Sequence, residues 1–144
     1  MRKINDSKLY FYFIMITLMI GILLGLIFSY SAFFVEPGIK ELLSNEENID
    51  ESYKNAFSKL KNPQIFARYE NFDRAAARIK TIIQVYDEKI KNNTPFNIND
   101  KRYLEILLER REMGALLTRN TMIFFFCLSV LGLIFYVYEL RQNK

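Results

Sequence analysis

The chain of 144 residues has no histidine and no tryptophan, and its one cysteine is Cys127. Without histidine it lacks the side chain that most often serves as general base, proton shuttle or metal ligand. A single cysteine inside an apolar run closes no intramolecular disulfide and offers neither a zinc site nor an accessible thiol nucleophile. The five glycines form no phosphate-binding loop and no G-x-S-x-G elbow. Adjacent carboxylates such as Glu46-Glu47 and Asp87-Glu88 lie on amphipathic stretches, where they read as solvated faces or salt-bridge partners. This inventory predicts a protein that is not an enzyme and needs no cofactor and no metal.

Charge is missing from two long stretches. Leu9–Val35 has no ionisable acid or base over about 27 positions, or about 40 Å of helix, against the roughly 30 Å of a hydrocarbon core. Asn120–Tyr138, bounded by Arg119 and Glu139, is uncharged over about 19 positions, close to the minimum for a span. A cleaved signal peptide would share the basic start of Arg2, Lys3 and Lys8, but its apolar core runs to only about 15 residues. A buried core helix would not need Met122–Phe135 to be apolar all round. The expectation is an all-α membrane protein in which two transmembrane helices flank a polar domain of two to three helices arranged as a hairpin. In numbers, 1–8 is a tail, 9–35 the first span, 36–119 the helical extramembrane domain, 120–138 the second span and 139–144 a second tail.

The amino-terminal tail has Arg2, Lys3 and Lys8 against Asp6, whereas the stretch after the first span has Lys40 and Lys54 against six acids. The positive-inside rule then predicts both termini in the cytoplasm and the central domain outside the cell membrane. Lys101, Arg102, Arg110, Arg111 and Arg119 before the second span run against this, but the rule weakens over so long a loop. Between the two tails, 15 basic residues meet 14 acidic ones. So balanced a domain has no basic face for nucleic acid.

Within the first span, Gly21-Ile-Leu-Leu-Gly25 is a G-x-x-x-G motif, whose small residues let a second helix approach closely. Gly132, with Ser129 and Leu128 nearby, is the expected facing surface on the second span. Pro37-Gly38 is expected to break the chain after the first span, before a short helical turn over Ile39–Leu43. Ser44-Asn-Glu-Glu47 fits a capping box for a helix over Ile49–Lys61, with Ile49, Tyr53, Ala56, Phe57 and Leu60 on one face.

The clearest periodicity follows. Ile65, Tyr69, Phe72, Ala76, Ile79, Ile83, Tyr86 and Ile90 recur at steps of four and three, a coiled-coil-like seam widened by Phe66, Ala75, Ile82 and Val85. So broad a stripe is expected to face a helical bundle or a partner. Glu70 with Arg74 and Asp87 with Lys91 are spaced for i,i+4 pairs. Asn92–Asn97 reads as a turn, and Asn99 or Asp100 as the cap of a helix from Lys101 to Tyr138, with Leu104, Leu107, Leu108, Ala115 and Leu116 near one face and Gly114 as its expected bend.

Arg110, Arg111 and Arg119 are the nearest thing to a functional cluster, placed to meet lipid headgroups or an acidic partner; bundle salt bridges with Glu105, Glu109 and Glu112 would use the same residues. The function predicted is that of a non-catalytic membrane subunit or scaffold, in contact with lipids and with other membrane subunits or a second copy of itself. A sensor module with a ligand site among its helices is a second class. A small homo-oligomeric channel is a third, with Thr17, Ser29, Thr121 and Ser129 as its few polar lining residues.

Overall fold

A computed structural model describes residues 6–61 and 74–142, leaving aside the side chains of 6 and 74–77. Helix α1 spans Asp6–Tyr30, a π turn Ser31–Val35, α2 Glu36–Ser44, α3 Ile49–Leu60, α4 Arg74–Lys91, a 3-10 turn Ile98–Asp100 and α5 Lys101–Gln142. No strand occurs among the described residues. Two helical stretches, Ser7–Ser44 and Ile98–Gln142, are long and apolar enough to cross a membrane. At 42 residues α5 runs about 63 Å, and Gly114 does not interrupt it.

The expected break at Pro37-Gly38 does not occur. Proline has no N–H to give, and its ring collides with the carbonyl four residues back in a regular helix. The π turn resolves the conflict. It moves the Glu36 N–H to the carbonyl of Ser31, five residues back, and leaves Pro37 in the first turn of α2, where a missing N–H costs least.

Two caps also differ from expectation. Ser44 is the last residue of α2, and its hydroxyl donates to the Glu41 carbonyl. Helix α3 starts after Asn48, without a side-chain cap; Asp50 and Glu51 in its first turn complement the helix dipole instead. For α5 the capping box sits two residues before Asn99. The Asn97 side chain accepts from the Asn99 N–H at 2.9 Å, and the Asp100 carboxylate accepts from the Asn97 N–H at 2.7 Å.

Helix α4 ends in the Asn-rich turn. Thr94 N–H bonds the Lys89 carbonyl and Asn93 N–H the Ile90 carbonyl, with Asn93 at φ 50°. This is a Schellman closure with asparagine in the left-handed position, which that residue tolerates better than most.

The chain divides into two compact units, one made of residues up to Ser29 together with those from Leu116, the other of Tyr30–Ala115. The second unit has a core of Ile39 and Leu43 from α2, Tyr53, Ala56, Phe57 and Leu60 from α3, Ile79, Ile82 and Tyr86 from α4, Phe96 from the turn, and Leu104, Leu107 and Leu108 from α5. Burying each Leu, Ile or Phe contributes about 1.5–3 kcal/mol. The rings of Phe57, Tyr86 and Phe96 meet at centroid distances of 5.3–6.3 Å. Two expected core residues face outward, Val85 at 53% and Leu116 at 47% exposure, because the buried arcs of their helices are narrower than the sequence stripes.

Candidate functional site

In the unit built from α1 and the end of α5, the two helices meet along one stripe. Thr17, Gly21 and Gly25 lie four residues apart on α1 and face Ser129, Phe126 and Met122 on α5. A Cβ added at Gly21 would stand 3.2 Å from the Phe126 ring, and one at Gly25 would stand 3.1 Å from the Met122 sulfur. At Gly132 the same atom would be 2.9 Å from Phe13 and 3.0 Å from Ile14. The glycines are therefore holes that receive side chains, rather than points where two backbones touch.

Between them, Thr17 Oγ1 and Ser129 Oγ lie 2.8 Å apart. Each hydroxyl also reaches a carbonyl of its own helix, Phe13 at 2.9 Å and Phe125 at 2.9 Å. Either hydroxyl can donate to the other while its partner donates to its own carbonyl, so both protons are used. Thr17 and Ser129 are buried, and Tyr10 stacks on Phe135 at 6.1 Å further along. The remaining surface of both helices is exposed and apolar, from Leu9 and Tyr12 to Leu26 on α1 and from Ile123 to Tyr138 on α5.

In the other unit, the seam residues divide. Ile79 and Tyr86 are buried, and Ile83 and Ile90 pack against the core in part. Ala76 lies on α4, whereas Ile65, Tyr69, Phe72 and the pair Glu70–Arg74 fall, wholly or in part, outside the described residues. Asp87 pairs with Lys61, just past the end of α3, at 3.0 Å rather than with Lys91, tying α4 to the end of α3 instead of bracing one helix.

A polar network that sequence reasoning missed ties α4 to the turn and to the 3-10 turn just before α5. Asp100 accepts from Tyr86 Oη at 2.9 Å, and Lys89 Nζ approaches it at 2.6 Å. Lys89 Nζ also lies 5.2 Å from the Phe96 ring centroid, within cation–π range. Burial, with the Asp100 carboxylate next, pushes the Tyr86 phenol up, so it stays a donor. Asp50 extends the tie to α3: it accepts from Lys54 at 2.7 Å and from the Phe96 N–H at 2.8 Å, which together hold its carboxyl below the ordinary value. The one sequence signal was Asn97-x-x-Asp100, which has the spacing of a capping box.

The arginines have separate surroundings. Arg111 is half-buried, donates from Nη1 to the Lys59 carbonyl at 3.4 Å, and keeps a buried Nε without an acceptor. Burial pulls its pKa down, opposed by Glu36 and Tyr30. Arg119 is exposed on α5. Glu112, an expected partner of the arginines, pairs with Lys40 at 2.7 Å, which raises the Lys40 pKa. That ion pair borders a shallow hollow of 360 Å³ lined by Leu43, Ser44, Lys101, Glu105 and Leu108 among others. Among the described residues no group of three or more His, Cys, Asp or Glu is placed to hold a metal ion.

Comparison with protein-family models, with curated proteins and with solved structures gives no match.

Proposed function

We propose that the chain is a non-catalytic subunit or scaffold of a membrane complex. Two helices cross the bilayer, and the helical domain between them is offered to partner proteins. One observation carries the membrane reading. The most apolar windows of both long helices are only 11% buried, whereas the core helix of a water-soluble fold would be mostly buried. A narrow stripe of glycine and hydroxyl residues covers each helix with the other, and lipid would cover the rest. The charge asymmetry of the amino-terminal tail supports a cytoplasmic start, and two crossings return the carboxyl end to the same side, with the domain outside.

The hollow beside the Lys40–Glu112 ion pair favours a second reading, as the input half of a sensor, because a small zwitterion would meet Lys101 and the carboxylates of Glu105 and Glu109 there. The channel reading loses support, since Thr17 and Ser129 spend their hydroxyls on each other. Purification of the full chain in mild detergent separates the first two readings. A subunit elutes with other proteins in fixed ratio and shows no thermal shift with amino acids or amines. A sensor shows such a shift, and elution alone with no fixed partner contradicts the scaffold reading.

A further inference from the structure

Arg119 is the only charged residue on α5 between Glu112 and Glu139. If the second span starts after it, that span is about 28 Å long, some 12 Å shorter than the Leu9–Val35 run it pairs with. Two helices packed side by side cross the same thickness. Counting from Met113 instead gives about 26 positions, or about 39 Å, which nearly equals the other run.

The helix register agrees. Ile14 faces Gly132, Thr17 faces Ser129, Gly21 faces Phe126 and Gly25 faces Met122. Continued toward the termini, this pairing sets Lys8 level with Glu139, the charges that bound the two runs at that end. At the other end, within the Tyr30–Ala115 unit, the charge that closes one run, Glu36, acts on Arg111, one of the charges that precede the other. Large apolar side chains are exposed up to these charges: Tyr30 at the end of α1, Phe33 and Phe34 in the π turn after it, and Met113, Leu116 and Leu117 on α5, each 47–73% exposed.

We propose that the hydrocarbon boundary on α5 lies at Glu112–Met113, and that Arg119, inside it, binds the phosphate of a phospholipid headgroup. This rests on the membrane reading above. Arg119 lies seven residues, about 10 Å, inside that boundary. Its side chain is exposed, and the Leu9–Val35 run offers it no acid. An arginine so placed extends its stem toward the interface and draws phosphate and water to its head. The guanidinium fork fits a phosphate with two parallel hydrogen bonds.

The test uses the full chain with Cys127→Ser in nanodiscs of phosphatidylcholine and phosphatidylglycerol, open on both faces. Single cysteines replace Glu109, Met113, Leu117 or Ile123, all exposed, so bilayer cover and not protein burial sets their reactivity. A charged, impermeant maleimide labels Glu109→Cys at least tenfold faster than the other three. Labelling of Met113→Cys and Leu117→Cys as fast as Glu109→Cys, with Ile123→Cys protected, overturns the inference and leaves the membrane reading standing. Equal labelling of all four overturns the membrane reading itself. For the phosphate, native mass spectrometry of the chain released from the nanodiscs shows at least fivefold less retained phospholipid in Arg119→Leu than in the parent, with Arg119→Lys between. Equal retention in Arg119→Leu, or complete displacement of lipid by millimolar inorganic phosphate, refutes a headgroup site.

Discussion

At the scale of single residues, the tightest point of the apolar unit is Gly132. A methyl there meets Phe13 and Ile14 at 2.9–3.0 Å, whereas one at Gly25 meets the flexible end of Met122. Gly132→Leu should therefore part the two helices, and Gly25→Ala should be nearly neutral. The check is thermal melting of the full chain in detergent: a drop for Gly132→Leu several times that for Gly25→Ala supports the packing, and equal drops contradict it. Ser129→Ala removes the Thr17–Ser129 bond, but Thr17 retains its own-helix carbonyl, so the expected cost is small, about 0.6 kcal/mol. Asn93 has the opposite sensitivity. At φ 50° it accepts glycine readily, while Asn93→Val should cost about 1–2 kcal/mol in the same melt. The glycine spacing was legible because it recurs every four residues. The role of Thr17 and Ser129 was not, since a hydroxyl in an apolar run looks alike whether it lines a pore or pairs with another helix.

At the scale of elements, the junction of α4 and α5 depends on a few polar groups around Asp100. Asp100→Ala strips acceptors from Tyr86, Lys89 and the Asn97 N–H at once. Removing one partner of a largely buried pair costs about 3 kcal/mol, more than any surface substitution on α5. Chemical denaturation followed by helix circular dichroism checks this, and a loss under about 1 kcal/mol would show the network to be incidental. Asp50 adds a pH signature. Its carboxyl titrates below the ordinary 3.8, so its contribution is present above that value and is lost as pH falls through the lower, folded value. The melting difference between parent and Asp50→Asn should thus be constant near neutrality and vanish in acid; a difference that persists there contradicts the assignment. Helix existence and the buried face of α3 were readable from periodicity. The π turn was not, because the rule that proline breaks helices ignores a turn widened to accommodate it. The caps moved by a few residues because several Asn, Ser and Asp side chains near each end compete for the same N–H groups.

At the scale of the whole chain, composition averages conceal the organisation. An unremarkable charged fraction of 25% comes from a polar middle between two runs with almost none. The division into runs was plain in the sequence, because charge is expensive in hydrocarbon. Where α5 would enter a bilayer was not, because Arg119 alone interrupts the uncharged stretch between Glu112 and Glu139. The most direct measurement of the central claim is spin-label accessibility in a lipid bilayer, at the exposed positions Phe11, Met15, Met19, Leu23 and Leu26 of α1 and Ile123, Val130 and Ile134 of α5. Collisions with dissolved oxygen should exceed those with a water-soluble nickel chelate at every one of these positions, most strongly midway along each helix. Chelate contact dominating along either helix would contradict the account.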